Sequence, residues 1–347
     1  MMKAEMPEFR KNNHYVPQLY LKQWATEDRI QTYRLLVPRA NIPLWKKHSL
    51  RGIASHQHLY TYLIGQEETD EFERWLAQEF ENPATEAIRR AVNNERMTAE
   101  HWKALIRFTV AQDVRTPASL VNFLSRQQET LPSLINETLE NSVRVLEEMA
   151  RTGARPPTPQ PTTSGAFPFK VTTERNPNGE GDGTIRTEMV VGRSLWLWSL
   201  RHLLTETIKK VPDSRWTIIH APDGISWPTT DHPVVKLRYM SADSYTYGGG
   251  WGVPKCDVFM PLSPKHLLHH FVGRRSWPRG AILDVVTAQR IRRIIIEHAH
   301  RYVFDKEESD VPRILPRRVS LADYQQEQAT WKNWHREQSE AEMDFSK

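Results

Sequence analysis

The stretch Trp216-Thr217-Ile218-Ile219-His220 sets the class of this chain, because it opens a run of strand-like segments. Val234 to Tyr239, Val258-Phe259-Met260 and Leu267 to Val272 come next, each short and rich in β-branched, aromatic or other apolar residues. No helical pattern intervenes, so the region has no regular βαβ alternation. Helical blocks lie on both sides. Asp70 to Val92 places Phe72, Trp75, Phe80 and Ile88 at helical spacing, and Pro83 predicts a kink or a junction of two helices. Thr98 is a good N-cap for a helix through Thr109, and Thr116-Pro117 opens a second helix running to about Ala150. Gly192 to Val211 and Thr287 to Val303 also read as helices, and the charged tail from Ala322 reads as one packed on the body. The expected fold is α+β: a helix-rich N-terminal half, with a small antiparallel or mixed sheet contributed by both halves. Arg29 to Leu35 alternates as a half-buried strand, and His58 to Tyr62 is its expected partner.

One large domain over residues 13–310 accounts for this order, followed by a helical tail at 311–347. The prolines at 156, 157, 159, 161 and 168 mark a linker or loop near 152–168. Asn176 to Gly183 is a second turn-rich stretch, and it lacks the regular acidic positions of a calcium loop. Hydrophobic residues make up 39% of the 347 and charged residues 26%, which suits a globular protein with a polar surface. The longest apolar runs, such as Ile294-Ile295-Ile296, are too short to span a bilayer, so no membrane partner is expected. Met1-Met2-Lys3-Ala4-Glu5 leads into no apolar stretch, and the single Cys256 excludes an internal disulfide framework and a cysteine-rich zinc site. Cytoplasm is the expected compartment. The balance of 47 basic to 42 acidic residues gives +5 without a long block of one sign. Short pairs such as Arg274-Arg275 and Arg292-Arg293 read as solvated faces unless the fold makes them converge on a phosphate.

The polar motifs carry the functional reading. His14-Tyr15-Val16-Pro17-Gln18-Leu19-Tyr20-Leu21-Lys22-Gln23-Trp24 resembles the opening signature, His-x-Val-Pro-x-x-Tyr-Leu-x-x-Phe/Trp, of a bacterial family known as domain of unknown function 4238. Gln112-Asp113-Val114-Arg115-Thr116-Pro117 resembles that family's Gln-x-x-Arg-Thr-Pro helix break. Thr230-Asp231-His232-Pro233-Val234 resembles its Thr-Ser-Asp-x-Pro-Val motif, and Pro261-Leu262-Ser263-Pro264 its Pro-Leu-Ser-Pro turn. The likeness covers about residues 13 to 270. It implies a bacterial intracellular protein and no established activity.

His14 has the chemistry of a general acid or base or a metal ligand, and equally of a strand-capping histidine. Arg115 lies three residues from Gln112 on one helix face, suited to a carboxylate or phosphate or to a salt bridge with Glu81 or Asp231. Asp231 ends a Thr-Thr run as a base, a metal ligand, a substrate anchor, or a cap on backbone amides. The working assignment makes His14, Glu81 and Asp231 catalytic, with Gln18, Gln112, Arg115 and Ser263 binding substrate; a divalent metal is left open. His232 is secondary, and His266, His269 and His270 lack a carboxylate to complete a ligand set. The expected function is hydrolysis of a phosphate-bearing or nucleic-acid substrate. The alternatives are a ligand- or nucleic-acid-binding regulatory module without chemistry, and a buried polar network that only holds the fold.

Overall fold

The computed structural model describes residues 9–64, 67–155, 169–175, 183–211, 215–241 and 244–346. Most of the proline-rich stretch (156–168) and of the Asn176 to Gly183 stretch (176–182) lies outside them. The fold is α+β. Its largest sheet is antiparallel, with the strands Thr217–His220, His266–Phe271, Cys256–Pro261, Val235–Tyr239 and Tyr245–Thr246 side by side in that order. Alternation gives the sheet two different faces. Ile219, Val235, Leu237, Phe259 and Leu267 pack against the helix Val285–Glu297, while Ile218, Val258, Met260 and Leu268 join the core made by the helices.

A second antiparallel sheet draws on both halves of the chain, in the order Thr229–Thr230, Tyr302–Asp305, Arg29–Arg34 and Trp45–Ser49. Two expectations are corrected here. Arg29–Arg34 pairs with Trp45–Ser49 and Tyr302–Asp305, whereas Tyr62–Ile64 pairs with Glu67–Thr69. The helix expected to run to Val303 stops at Glu297, and Tyr302 onward is strand, because that segment completes the mixed-origin sheet. The first half likewise holds strands as well as helices: helix begins to dominate only from Glu71.

The opening segment is pinned far along the chain. Pro17, at φ −61° and ψ 142°, starts a turn of helix over Gln18–Leu21, and Val16, Tyr20, Leu21 and Trp24 are completely buried. The Tyr20 hydroxyl donates to the Pro261 carbonyl at 2.7 Å and therefore accepts from the Thr229 hydroxyl, also at 2.7 Å. The Trp24 indole donates to the Trp227 carbonyl at 2.8 Å. Much of the apolar and aromatic half of the motif is thus anchoring.

The junction at Pro83 takes a specific form. Glu71–Leu76 passes through a π-helical turn, Ala77–Glu81, before Asn82–Val92 resumes as α-helix. Proline has no N–H to give the preceding turn, and the widened turn absorbs that loss. Thr98 caps the helix Ala99–Val114, and Thr116 caps Pro117–Thr152 by accepting from the Ser119 amide.

The tail is a helix, Leu321–Ser346, docked by Trp331 and Trp334 on the core and by a buried cation. Arg193 is fully buried and gives Nε and Nη2 to Glu342 at 3.0 and 2.8 Å, with Nη1 on His335 Nδ1 at 2.9 Å. Removing one partner of such a pair strands the other charge, a loss of about 3–5 kcal/mol. We therefore expect Arg193→Ala to raise amide exchange across Leu321–Ser346 before the rest of the fold opens; exchange unchanged there relative to the body would refute this.

Candidate functional site

The sequence-selected residues divide into groups. His14, Gln18, Glu81 and Arg115 come together where the opening strand, Asn12–His14, the π-helical turn and the end of the Ala99–Val114 helix meet. Arg115 is 1% exposed, and its guanidinium reaches Glu81 Oε1 at 2.6 Å, the His14 carbonyl at 2.6 Å and the Tyr60 hydroxyl at 3.3 Å. Tyr60 in turn donates to the Arg115 carbonyl at 2.7 Å. With solvent shut out, this guanidinium is committed to the fold rather than offered to a ligand. His14 and Gln18 are more open, and the Gln18 amide lies 3.4 Å from His14 Nε2. Burial lowers the His14 pKa, opposed by the Leu50 carbonyl and Glu81.

Gln112 donates to the Tyr15 carbonyl at 2.7 Å in a fully buried position. Asp231 accepts from the backbone amides of His300 and Arg301 at 2.9 and 2.8 Å, and burial pushes its carboxyl up to about 6. It caps backbone, although that backbone lies seventy residues away rather than beside it. Ser263 receives the amides of Lys265 and His266, both at 3.1 Å, within its own turn and does not join the His14 group.

A second polar cluster lies in a cavity of about 810 Å³ between the helices and the five-stranded sheet. Asp113, Lys236, Trp251, His232 and His298 line it. Asp113 Oδ2 accepts from Lys236 Nζ at 2.5 Å and from the Trp251 indole at 2.9 Å. Gly249 lets the segment carrying Trp251 fold over Lys236: a Cβ there would sit 2.8 Å from the Lys236 backbone.

The protonation of His232 is set by a chain of hydrogen bonds. Ser119 donates its hydroxyl to the Asp113 carbonyl at 2.5 Å, since a carbonyl can only accept. Ser119 Oγ is therefore free to accept from the Thr116 hydroxyl at 3.2 Å. Thr116 Oγ1 already accepts the Ser119 amide at 3.3 Å and lies 2.8 Å from His232 Nδ1. Where Thr116 gives its one proton to Ser119, it accepts from His232, and the ring then carries its proton on Nδ1 and a lone pair on Nε2. His298 is fixed the same way, its Nδ1 donating to the His232 carbonyl at 3.0 Å. The two rings stack at 4.5 Å. Burial holds His232 well below the usual imidazole range and lowers His298 to about 4, so both are neutral near pH 7.

A metal finds no such preparation. Among the described residues, the group with three donor atoms within 4.8 Å is His58, Glu68 and His335. Arg193 donates to His335 Nδ1, and His335 Nε2 therefore gives its proton to Glu68 at 2.8 Å. Both nitrogens are spent, so this cluster docks the tail helix and does not fit a cation.

The family profile described as Protein of unknown function (DUF4238) matches residues 12–309. The chain belongs to the DUF4238 family. No curated protein and no solved structure matches it. In this DUF4238 chain, the helix-break motif and the Asp-x-Pro motif meet at Thr116 and His232. Sequence patterns rank His232 second and pass over Asp113 and Lys236; the prolines at 117 and 233, which fix the backbone beside Thr116 and His232, are the signal that points to the site.

Two outcomes test this description. Arg115→Ala should cost about 3–5 kcal/mol in chemical denaturation, because Glu81 is left unpaired; a loss well below that range would mean the guanidinium is not the clamp. Glu73, nearby and buried, has its carboxyl pushed by burial up to about 7. The folded state thus holds a proton that the unfolded chain releases, and this stabilisation is present at low pH and lost as pH rises through the folded value. Melting curves of wild type and Glu73→Gln should converge near about pH 4 and separate by about pH 8, with wild type the less stable; parallel curves would contradict it.

Proposed function

We propose that this DUF4238 protein is a hydrolase acting on a phosphate-bearing substrate in the cavity lined by His232 and Lys236. The observation that carries the reading is the chain from His232 through Thr116 and Ser119 to the Asp113 carbonyl. It leaves a neutral imidazole with its Nε2 lone pair uncommitted, in a cavity of the size that binds small molecules. A general base needs this arrangement: one nitrogen oriented, the other free to take a proton.

In the reaction, His232 Nε2 takes a proton from water as the water oxygen bonds to phosphorus. The bond from phosphorus to the leaving oxygen breaks, and the imidazolium returns the proton to that oxygen. Lys236 balances charge building on the phosphoryl oxygens, with Asp113 and Trp251 fixing its position. Lys210 and Arg126, also lining the cavity, favour an anionic substrate, and Trp196, Phe123 and Tyr247 suit an aromatic portion such as a base. His14, Glu81 and Asp231 support the Thr116 and His300 ends of this cavity without meeting the substrate. No helix among the described residues is long and apolar enough to cross a membrane. With one free buried cysteine, we place the protein in the bacterial cytoplasm.

The free-enzyme histidine is a weak base, and a bound phosphate strengthens it by its negative charge. The acidic limb of kcat should therefore fall at higher pH than that of kcat/KM. The test is turnover of phosphomonoesters, phosphodiesters and nucleotides, with and without divalent metal. His232→Ala should lose at least about 100-fold in kcat. Thr116→Val, acting through His232, should lower kcat with little change in KM. Turnover that survives His232→Ala refutes the assignment. Binding without turnover in wild type would make the protein a ligand-binding module.

A further inference from the structure

A second cavity, of about 800 Å³, lies on the opposite face of the five-stranded sheet, beside the helix Val285–Glu297. The two are distinct because residues alternate along the strand Val235–Tyr239: Lys236 faces the first cavity, and Tyr239 lines the second. Its floor is a pair that spacing along the chain does not reveal. Asp257 opposes Phe271, and His269 opposes Phe259, so the two are diagonal neighbours on adjacent strands and share a face. His269 Nε2 lies 3.0 Å from Asp257 Oδ1, and Tyr239 also hydrogen-bonds this carboxylate. The ring is 1% exposed, and its Nδ1 has no hydrogen-bond partner among the described residues. A buried polar atom left unmatched is costly, and here it lies behind the cavity floor.

The rim has a contrasting chemistry. Arg274 and Arg275 stand exposed on a turn that Gly273 makes at φ +80°, joined by the exposed Lys255. The turn is held rigid by Ser276, whose hydroxyl accepts from the Phe271 amide at 3.1 Å and donates to the Arg215 carbonyl at 3.0 Å. Trp277 is 38% exposed, and its ring lies 4.5 Å from that of His269. Cations at one end and an exposed aromatic wall match the phosphate and the base of a nucleotide.

We propose that this cavity is a mononucleotide-binding site. Its phosphates meet Arg274, Arg275 and Lys255, and its base lies against Trp277 and Phe271. The cations gather at one end of the cavity instead of tracking along a groove, which suits a compact phosphate group over an extended strand. The site is independent of the hydrolytic reading, since it shares no lining residue with the His232 cavity.

The test is fluorescence anisotropy of methylanthraniloyl-ADP with the full chain at ~0.1 M salt, where long-range charge effects are screened. Binding should saturate and be displaced by unlabelled ADP far better than by inorganic phosphate. The double variant Arg274→Ala/Arg275→Ala and the single variant Trp277→Ala, all at exposed positions, should each weaken it on the order of tenfold or more. In His232→Ala and Lys236→Met, a saturable component of binding that depends on Arg274 and Arg275 should persist. The proposal falls if wild type shows no saturable binding, if the arginine variant binds normally, or if the His232 cavity variants abolish binding. It also falls if phosphate competes as well as ADP, or if a single-stranded oligonucleotide displaces the probe better than ADP.

Discussion

The buried guanidinium of Arg115 is the constraint on which the rest of the structure depends. It is one charge in a place without water, and it must be matched by Glu81, by the carbonyl of His14 and by Tyr60. Each partner comes from a different segment, so matching the charge fixes the opening strand, the π-helical turn and the Tyr60 loop against the end of one helix. Desolvation makes the match close to obligatory: several kilocalories per mole are at stake if any carboxylate or guanidinium is left alone. The next residue, Thr116, inherits that fixed position. It caps the following helix and orients His232, so the cavity is built on a rigid mount without being part of it.

This division explains how sequence patterns overstate a site. The polar residues of the motifs look like reagents because they are charged, amide-bearing or ring nitrogens. Burial turns Arg115, Gln112 and Asp231 into connectors whose partners are mostly backbone atoms. Backbone carbonyls and amides are invisible in a string of side chains, which is why their use could not be read there. His232, by contrast, shares its residue type with thirteen other histidines and gains its character only from a threonine more than a hundred positions earlier.

Local grammar was legible where it depends on neighbours. Thr98, Thr116 and Pro117 announced helix starts, Pro83 announced its junction, and short runs of β-branched and apolar residues announced strands of the larger sheet. Long-range pairing was not. Arg29–Arg34 took its partners from residues 45–49 and 302–305, a choice made by sheet completion and not by any feature of the strand itself. The same limit hid Asp257 from His269: the carboxylate completing that pair sits on the adjacent antiparallel strand, visible only once register is known.

The family match ends at residue 309, yet Arg193, inside it, is buried by a helix that begins at Leu321. A guanidinium buried beneath Glu342, His335 and Ser339 ties two regions of the chain together across that limit. A lineage that lost the terminal helix would leave position 193 under pressure to become neutral, and one that gained it would reward arginine there. Arginine at 193 and an acidic residue on the distal helix should therefore appear and disappear together among relatives, a covariation set by electrostatics across a boundary that the family's own limits do not mark.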